Sequence, residues 1–201
     1  MARGRSPGYD DQRELILSRA AQLFAQRGYS ATTMNEVAEA CGMSKPALYH
    51  YYKDKYTLLV QSAEEHMARL EALVKEVQAQ RLEPEERLRM LIERFVEEYA
   101  NAQNSHRVLT EDVKFLEEED RERVLAAQRR VVAAFSRTIG ELRPELKRAA
   151  LDKPLTMLLF GMINWMFTWL KPEGPLSHEA MAPLVADLFF GGVPAVRLPR
   201  S

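Results

Sequence analysis

The chain has 201 residues, 46% of them apolar, with 28 basic against 29 acidic side chains. That length can bury a core without covalent staples, and the charge balance excludes a disordered polyelectrolyte or a globally basic protein. The single cysteine, Cys41, excludes an intramolecular disulfide framework and any multi-cysteine zinc site.

Residues 1–60 carry eight Lys or Arg against six acids, an excess that matters only if the cations gather on one face. Arg3 and Arg5 lead into Pro7-Gly8 rather than an apolar run, so no signal peptide is expected and the chain is placed in the cytoplasm. Residues 10–27 space Leu15, Ile16, Ala20, Leu23 and Phe24 as one helical stripe, ended by Gly28. Thr33 with Glu36 three residues on forms a capping box, opening a short helix over 34–40. Cys41-Gly42-Met43 is a tight turn. Ser44 caps a second short helix over 45–51, with Pro46 in its first turn.

From Asp54 a helix runs unbroken to about Gln80, striped by Leu58, Leu59, Ala63, Met67, Leu70 and Val77. Pro84 opens another, to about Asn104. A shorter one is expected near 107–116, and a charged amphipathic one over 119–142. Pro144 interrupts the chain before an apolar helix over 153–170. Its uncharged stretch, Pro154–Leu170, is slightly shorter than a bilayer span needs and is broken by polar residues, so it predicts a buried helix and no membrane role. Ser177 caps a last helix ending near Phe190, which Pro183 either delays or kinks. No strand periodicity appears, so the expected fold class is all-α.

Two very short helices joined by a Gly-containing turn, among longer ones, have the geometry of a helix-turn-helix. The second is too short to add much core. Around Ala47 and Leu48 it carries Ser44, Lys45, Tyr49, His50, Tyr51, Tyr52, Lys53 and Lys55. Hydroxyls, ammoniums and helix N-terminal amides suit phosphate oxygens, and such a helix presents its first turns to base edges. The blander reading, tyrosines capping a core edge, holds in part: Leu48, Tyr51 and Tyr52 share a face at helical spacing.

Ala20-Ala21-Gln22-Leu23-Phe24 with Gly28-Tyr29, Thr32-Thr33-Met34 with Val37-Ala38, Gly42-Met43-Ser44-Lys45, Ala47-Leu48-Tyr49-His50-Tyr51-Tyr52, and Lys55 with Leu58-Leu59 together resemble the tetracycline-repressor-like (TetR) family of bacterial transcription regulators. The resemblance covers about residues 10–60. It implies a flexible basic arm over 1–9, a three-helix DNA-binding domain over 10–55 and a helical effector-binding and dimerisation domain over 56–201. Thr33, Tyr49 and Lys55 would bind backbone phosphate. Ser44, Lys45, Ala47 and His50 would lie on or near the groove-facing side. The arm either enters a minor groove or is disordered. Tyr56 stands where the family often has an acid.

The resemblance implies as partners a double-stranded DNA operator, a small-molecule effector and a second copy of the chain. Candidate pocket residues are Phe95, Tyr99, Phe115, Met162, Trp165 and Trp169, chosen for aromatic and Met density. Plain core is the competing reading for each. The candidate dimer surface is the helix pair 155–170 and 181–190, with Phe160, Phe167, Leu184, Leu188 and Phe189. The segment Gly161–Trp165 with Trp169 and Gly174–Ser177 resembles a subgroup tied to lipid and acyl-thioester catabolism, which ranks an acyl-CoA or another amphipathic molecule first as effector. No HExxH, GxSxG, P-loop or GxGxxG occurs, so no catalytic residue, metal or cofactor is expected. The competing class is a helical ligand-binding or adaptor protein with no DNA role.

Overall fold

The computed structural model describes residues 8–170, 174 and 176–197, except the side chain of Phe167. The arm carrying Arg3 and Arg5, and the Phe167 side chain, therefore lie outside the described residues. Ten α-helices are described: α1 (Tyr9–Arg27), α2 (Met34–Ala40), α3 (Lys45–Tyr51), α4 (Lys55–Ala79), α5 (Pro84–Asn101), α6 (Gln103–Glu111), α7 (Glu118–Leu142), α8 (Pro144–Arg148), α9 (Asp152–Trp169) and α10 (His178–Gly192). No strand occurs among the described residues. The helix expected near 107–116 is two elements, α6 and a 3-10 turn at Val113–Phe115. Pro183 does not delay α10 but sits inside it. No helix of the described residues is long and apolar enough to cross a membrane.

The chain packs as two compact units, one of residues 1–66 with 104–124, the other of residues 67–103 with 125–201. The first unit thus takes in α6, the 3-10 turn and the start of α7, which a linear division at residue 55 leaves elsewhere. Its core is Ile16, Phe24, Val37, Leu48, Tyr52, Leu58 and Leu59. Each fully buried side chain of this size contributes about 1.5–3 kcal/mol. The second unit centres on Phe95, Phe135 and Phe160. Phe95 meets Phe135 edge-on at 4.9 Å, and Phe135 meets Phe160 at 4.8 Å.

Two glycines set the connections. Gly28 ends α1 at φ 84° and ψ 150°, and Gly42 turns the chain between α2 and α3 at φ 65°. A Cβ at either would be strained.

Within the first unit the rings of His66 on α4 and His106 on α6 are buried together, Nε2 to Nδ1 at 3.3 Å. Burial pushes the His106 imidazole down to about 4 from 6.5. Between those values the unfolded chain binds a proton that the folded chain does not. Stability is therefore full above about pH 6.5 and falls as the pH drops toward 4. The expected loss is up to about 3 kcal/mol. Denaturant unfolding of the His106→Gln variant between pH 7 and 4 should show a shallower decline than the parent chain.

Candidate nucleic-acid interface

A seven-residue helix does not hold itself together in water, so α3 depends on its anchors. Ser44 caps it by accepting the Ala47 amide at 3.3 Å. Leu48 is fully buried beneath it, and Tyr52 closes its end at 1% exposure. The Arg13 guanidinium lies 5.0 Å over the Tyr52 ring, and burial pushes that phenol up to about 12. Tyr51 stacks on Tyr9 with ring centroids 5.0 Å apart. With this side committed to the core, Ser44, Lys45, Pro46, Tyr49 and His50 are exposed, and Ala47 is half-buried. The Lys45 ammonium sits 6.0 Å over the Tyr49 ring. The five are a capping hydroxyl, a cation, a rigid ring, a phenol and an imidazole on one short element. That set can donate to phosphate and read base edges.

Thr33 is exposed, but its hydroxyl is already used. It donates to Glu36 Oε2 at 2.9 Å and accepts the Glu36 amide at 3.3 Å, while the Thr33 amide donates to the same carboxylate at 2.8 Å. These bonds, with Arg27 at 2.7 Å, hold the Glu36 carboxyl below its usual range. Thr33 therefore shapes the start of α2, and its proton is not free for a phosphate.

Lys55 differs most from its expected role. Its ammonium donates to the carbonyls of Tyr29 at 2.8 Å, Thr32 at 2.8 Å and Ser30 at 3.3 Å. It also lies 4.4 Å over the Tyr29 ring. A lysine has three donor protons, and here three carbonyls take them. Lys55 straps the connector between α1 and α2 to the start of α4. Beside it Lys53, whose side chain is 80% exposed, lies 4.0 Å from Asp54 Oδ2.

Sequence reasoning also passed over the role of Tyr56. Its hydroxyl donates to Asp120 Oδ2 at 2.5 Å and accepts the Glu117 amide at 2.9 Å. Burial and the Asp120 carboxylate push the phenol up to about 12. Where the family often has an acid, this tyrosine bolts the start of α4 to the start of α7 within the first unit. Arg123 reinforces the joint by bridging Asp120 and Glu64. Phe115, half-exposed, lies 5.3 Å from the Tyr29 ring. The signal available in sequence was the departure at Tyr56 itself, but its partner lies 64 residues away.

The remaining candidates separate. Phe95 and Tyr99 are buried in the second unit, whereas Phe115 belongs to the first. Met162, Trp165 and Trp169 line an apolar groove of about 560 Å³ on the outer side of α9 and α10, with Met157, Leu158, Leu184 and Leu188. Trp165 is 66% exposed and Leu188 69%. Phe160 and Phe189, expected on that outer surface, face the core instead. The stripe Leu155, Leu159, Ile163 and Met166 points inward and fixes the helix's rotation. No group of three or more His, Cys, Asp or Glu able to hold a metal occurs among the described residues.

Residues 16–61 match the family described as bacterial regulatory proteins, tetR family, and residues 81–193 match the tetracyclin repressor-like C-terminal domain. The transcriptional activator FasR of Mycolicibacterium smegmatis is 25% identical over 99% of this chain and 90% of its own length. The crystal structure of a TetR-family regulator from Bordetella parapertussis 12822 is 34% identical, covering 94% of this chain and 99% of that one, with a TM-score of 0.87. The structure of AibR in complex with isovaleryl coenzyme A and operator DNA is 27% identical over 88% of this chain and 97% of that one, with a TM-score of 0.78.

Two substitutions separate strap and bolt from DNA contacts. Lys55→Ala should cost roughly 1–3 kcal/mol of stability, since it removes three charge-assisted hydrogen bonds to partly buried and exposed carbonyls. It should leave unchanged the slope of log Kd against log salt for duplex DNA; a slope lower by about one would mean a phosphate contact instead. Tyr56→Phe should cost about 0.5–1.5 kcal/mol in denaturant unfolding, from the two hydrogen bonds lost with the hydroxyl.

Proposed function

The chain belongs to the TetR family of DNA-binding transcription regulators, and from that premise we propose that it is a ligand-responsive repressor acting as a homodimer on a palindromic operator. The observation that carries the DNA-reading part is α3: a helix with one side locked by Leu48 and Tyr52 and the other presenting Ser44, Lys45, Tyr49 and His50. Phosphate contacts come from Tyr49 and the cations around it. Ser44, Lys45, Ala47 and His50 face the groove.

Three features support the homodimer. One short reading helix covers little duplex, and paired half-sites about 34–36 Å apart multiply affinity. The outer groove of α9 and α10 exposes Met157, Leu158, Trp165, Trp169, Leu184 and Leu188 side by side. A patch of this kind, continuous and nearly free of charge, marks an interaction surface. The same two helices from a second copy would form a four-helix contact about a two-fold axis.

The effector is an acyl-CoA or a related amphiphile, a reading supported by AibR, whose solved complex holds isovaleryl coenzyme A together with operator DNA. Its binding in the C-terminal helices shifts α4, which is one continuous helix from Lys55 to Ala79, and changes the spacing of the two reading helices. A ligand alters DNA affinity only by its differential affinity for the two dimer states. A tenfold loss corresponds to about 1.4 kcal/mol.

Mobility shift on the promoter DNA beside the chain's own gene tests the DNA role. Lys45→Ala and His50→Ala should change which operator variants bind best. Equal loss on every sequence would assign both to the backbone, and no binding to any duplex at low salt would favour a helical ligand-binding protein. Sedimentation should give a dimer at micromolar concentration, and Leu188→Glu should give monomers that bind the operator at least about tenfold more weakly.

A further inference from the structure

The phase of α3 sets two side chains apart from the rest. Leu48 is fully buried, and Pro46 and His50 stand two residues before and after it. At about 100° per residue, each lies on the far side of the helix from Leu48, and the two are about one turn apart on the same outward line. Both are exposed. Lys45 and Tyr49 occupy one flank, with the Lys45 ammonium 6.0 Å over the Tyr49 ring. Half-buried Ala47 occupies the other. The Ser44 hydroxyl already accepts the Ala47 amide at 3.3 Å. The line that goes deepest when α3 enters a groove is therefore a saturated ring followed by an imidazole. From Ser44 to Tyr51 there is no Asp, Glu, Asn or Gln.

Base edges in the major groove differ in what they offer. Guanine shows two acceptors, N7 and O6. Adenine sets a donor beside its acceptor and is paired by Asn or Gln, the cytosine amino group calls for Asp or Glu, and thymine adds a methyl group. We infer that α3 selects a guanine through the His50 imidazole, with a thymine methyl against the Pro46 ring within about two base steps of it. An imidazole N–H donates to N7 or O6, and Lys45 on the flank is donor-only, which adds to the preference for an edge made of acceptors. The carboxamides that would grip adenine and the carboxylates that would take the cytosine amino group are absent from the helix. The ring of Pro46 forms no hydrogen bond, so a polar base edge beneath it would lose water without gaining a partner. The thymine methyl is the apolar group that the groove floor offers instead. The spacing follows from the backbone: four residues advance about 6 Å along α3, and base pairs rise about 3.4 Å. The inference rests on the reading of α3 as the DNA-contacting helix and names the bases that it takes.

Duplexes selected by the full chain from a random pool, and then altered at single base groups, decide it. Each half-site should hold a guanine with a thymine one or two steps away. Placing 7-deazaguanine there removes the N7 acceptor and keeps the base pair; it should weaken binding of the parent protein about fivefold or more. Inosine at the same place removes only the minor-groove amino group and should have a far smaller effect. Uracil for the thymine should weaken binding about fourfold, the effect of one buried methyl-sized group. His50→Ala should erase the response to 7-deazaguanine and keep the response to uracil, and Pro46→Ala should do the opposite. The analogues change the DNA and leave the parent protein untouched, so its responses to them do not arise from misfolding. Half-sites without guanine, a parent protein indifferent to 7-deazaguanine or to uracil, or a 7-deazaguanine response undiminished in His50→Ala would each overturn the inference and leave the DNA-binding reading in place. No duplex retained from the pool at low salt would remove that reading, and the inference with it.

Discussion

A helix of seven residues must be held from outside, and that requirement organises the first unit. α3 presents its polar side only because Leu48 and Tyr52 are sunk in the core and Ser44 satisfies the Ala47 amide in its first turn. The core that receives them depends in turn on how α1, α2 and α4 meet. There the Lys55 ammonium gathers three carbonyls of one connector at a single point. A cation used in this way supplies donors to backbone groups of a connector that has no regular hydrogen-bond ladder. The reading surface is thus a by-product of packing, with the exposed residues being those the core has no use for.

Much of this was legible in the sequence because local rules were obeyed. Thr33 and Glu36 announce a capping box, Ser44 and Pro46 open the next helix, and all three spans of the first domain match the described helices. Legibility failed where a residue's role depends on a distant partner. Lys55 reads as a free cation until its three carbonyls are placed around it. Tyr56 reads as a harmless departure until residues 117 and 120 arrive. The failure on α9 has a different cause. Twelve of the sixteen residues from 155 to 170 are apolar. A helix apolar on nearly every side carries no phase, so hydropathy cannot say which stripe points inward. From sequence, Trp165 and Trp169 read as pocket and Phe160 as interface; packing leaves the two tryptophans exposed and Phe160 buried.

The second unit separates two kinds of surface that sequence alone blends. The α9 and α10 groove is broad, uncharged and lined by flexible or aromatic side chains, which suits a large apolar neighbour. A cleft between α4 and α7 is lined by Val74, Val131 and Ala134 together with Lys75, Arg130 and Arg137, which suits an amphiphile. α4 and α7 each contribute residues to both compact units.

Both tryptophans of the chain, Trp165 and Trp169, sit on the outer groove, and both are at least half exposed. Every indole chromophore therefore reports on one location. Covering it removes water from the rings and moves their emission to shorter wavelength, whereas duplex bound at α3 meets only tyrosine. The unlabelled protein thus carries an optical gauge of whatever covers the α9 and α10 groove.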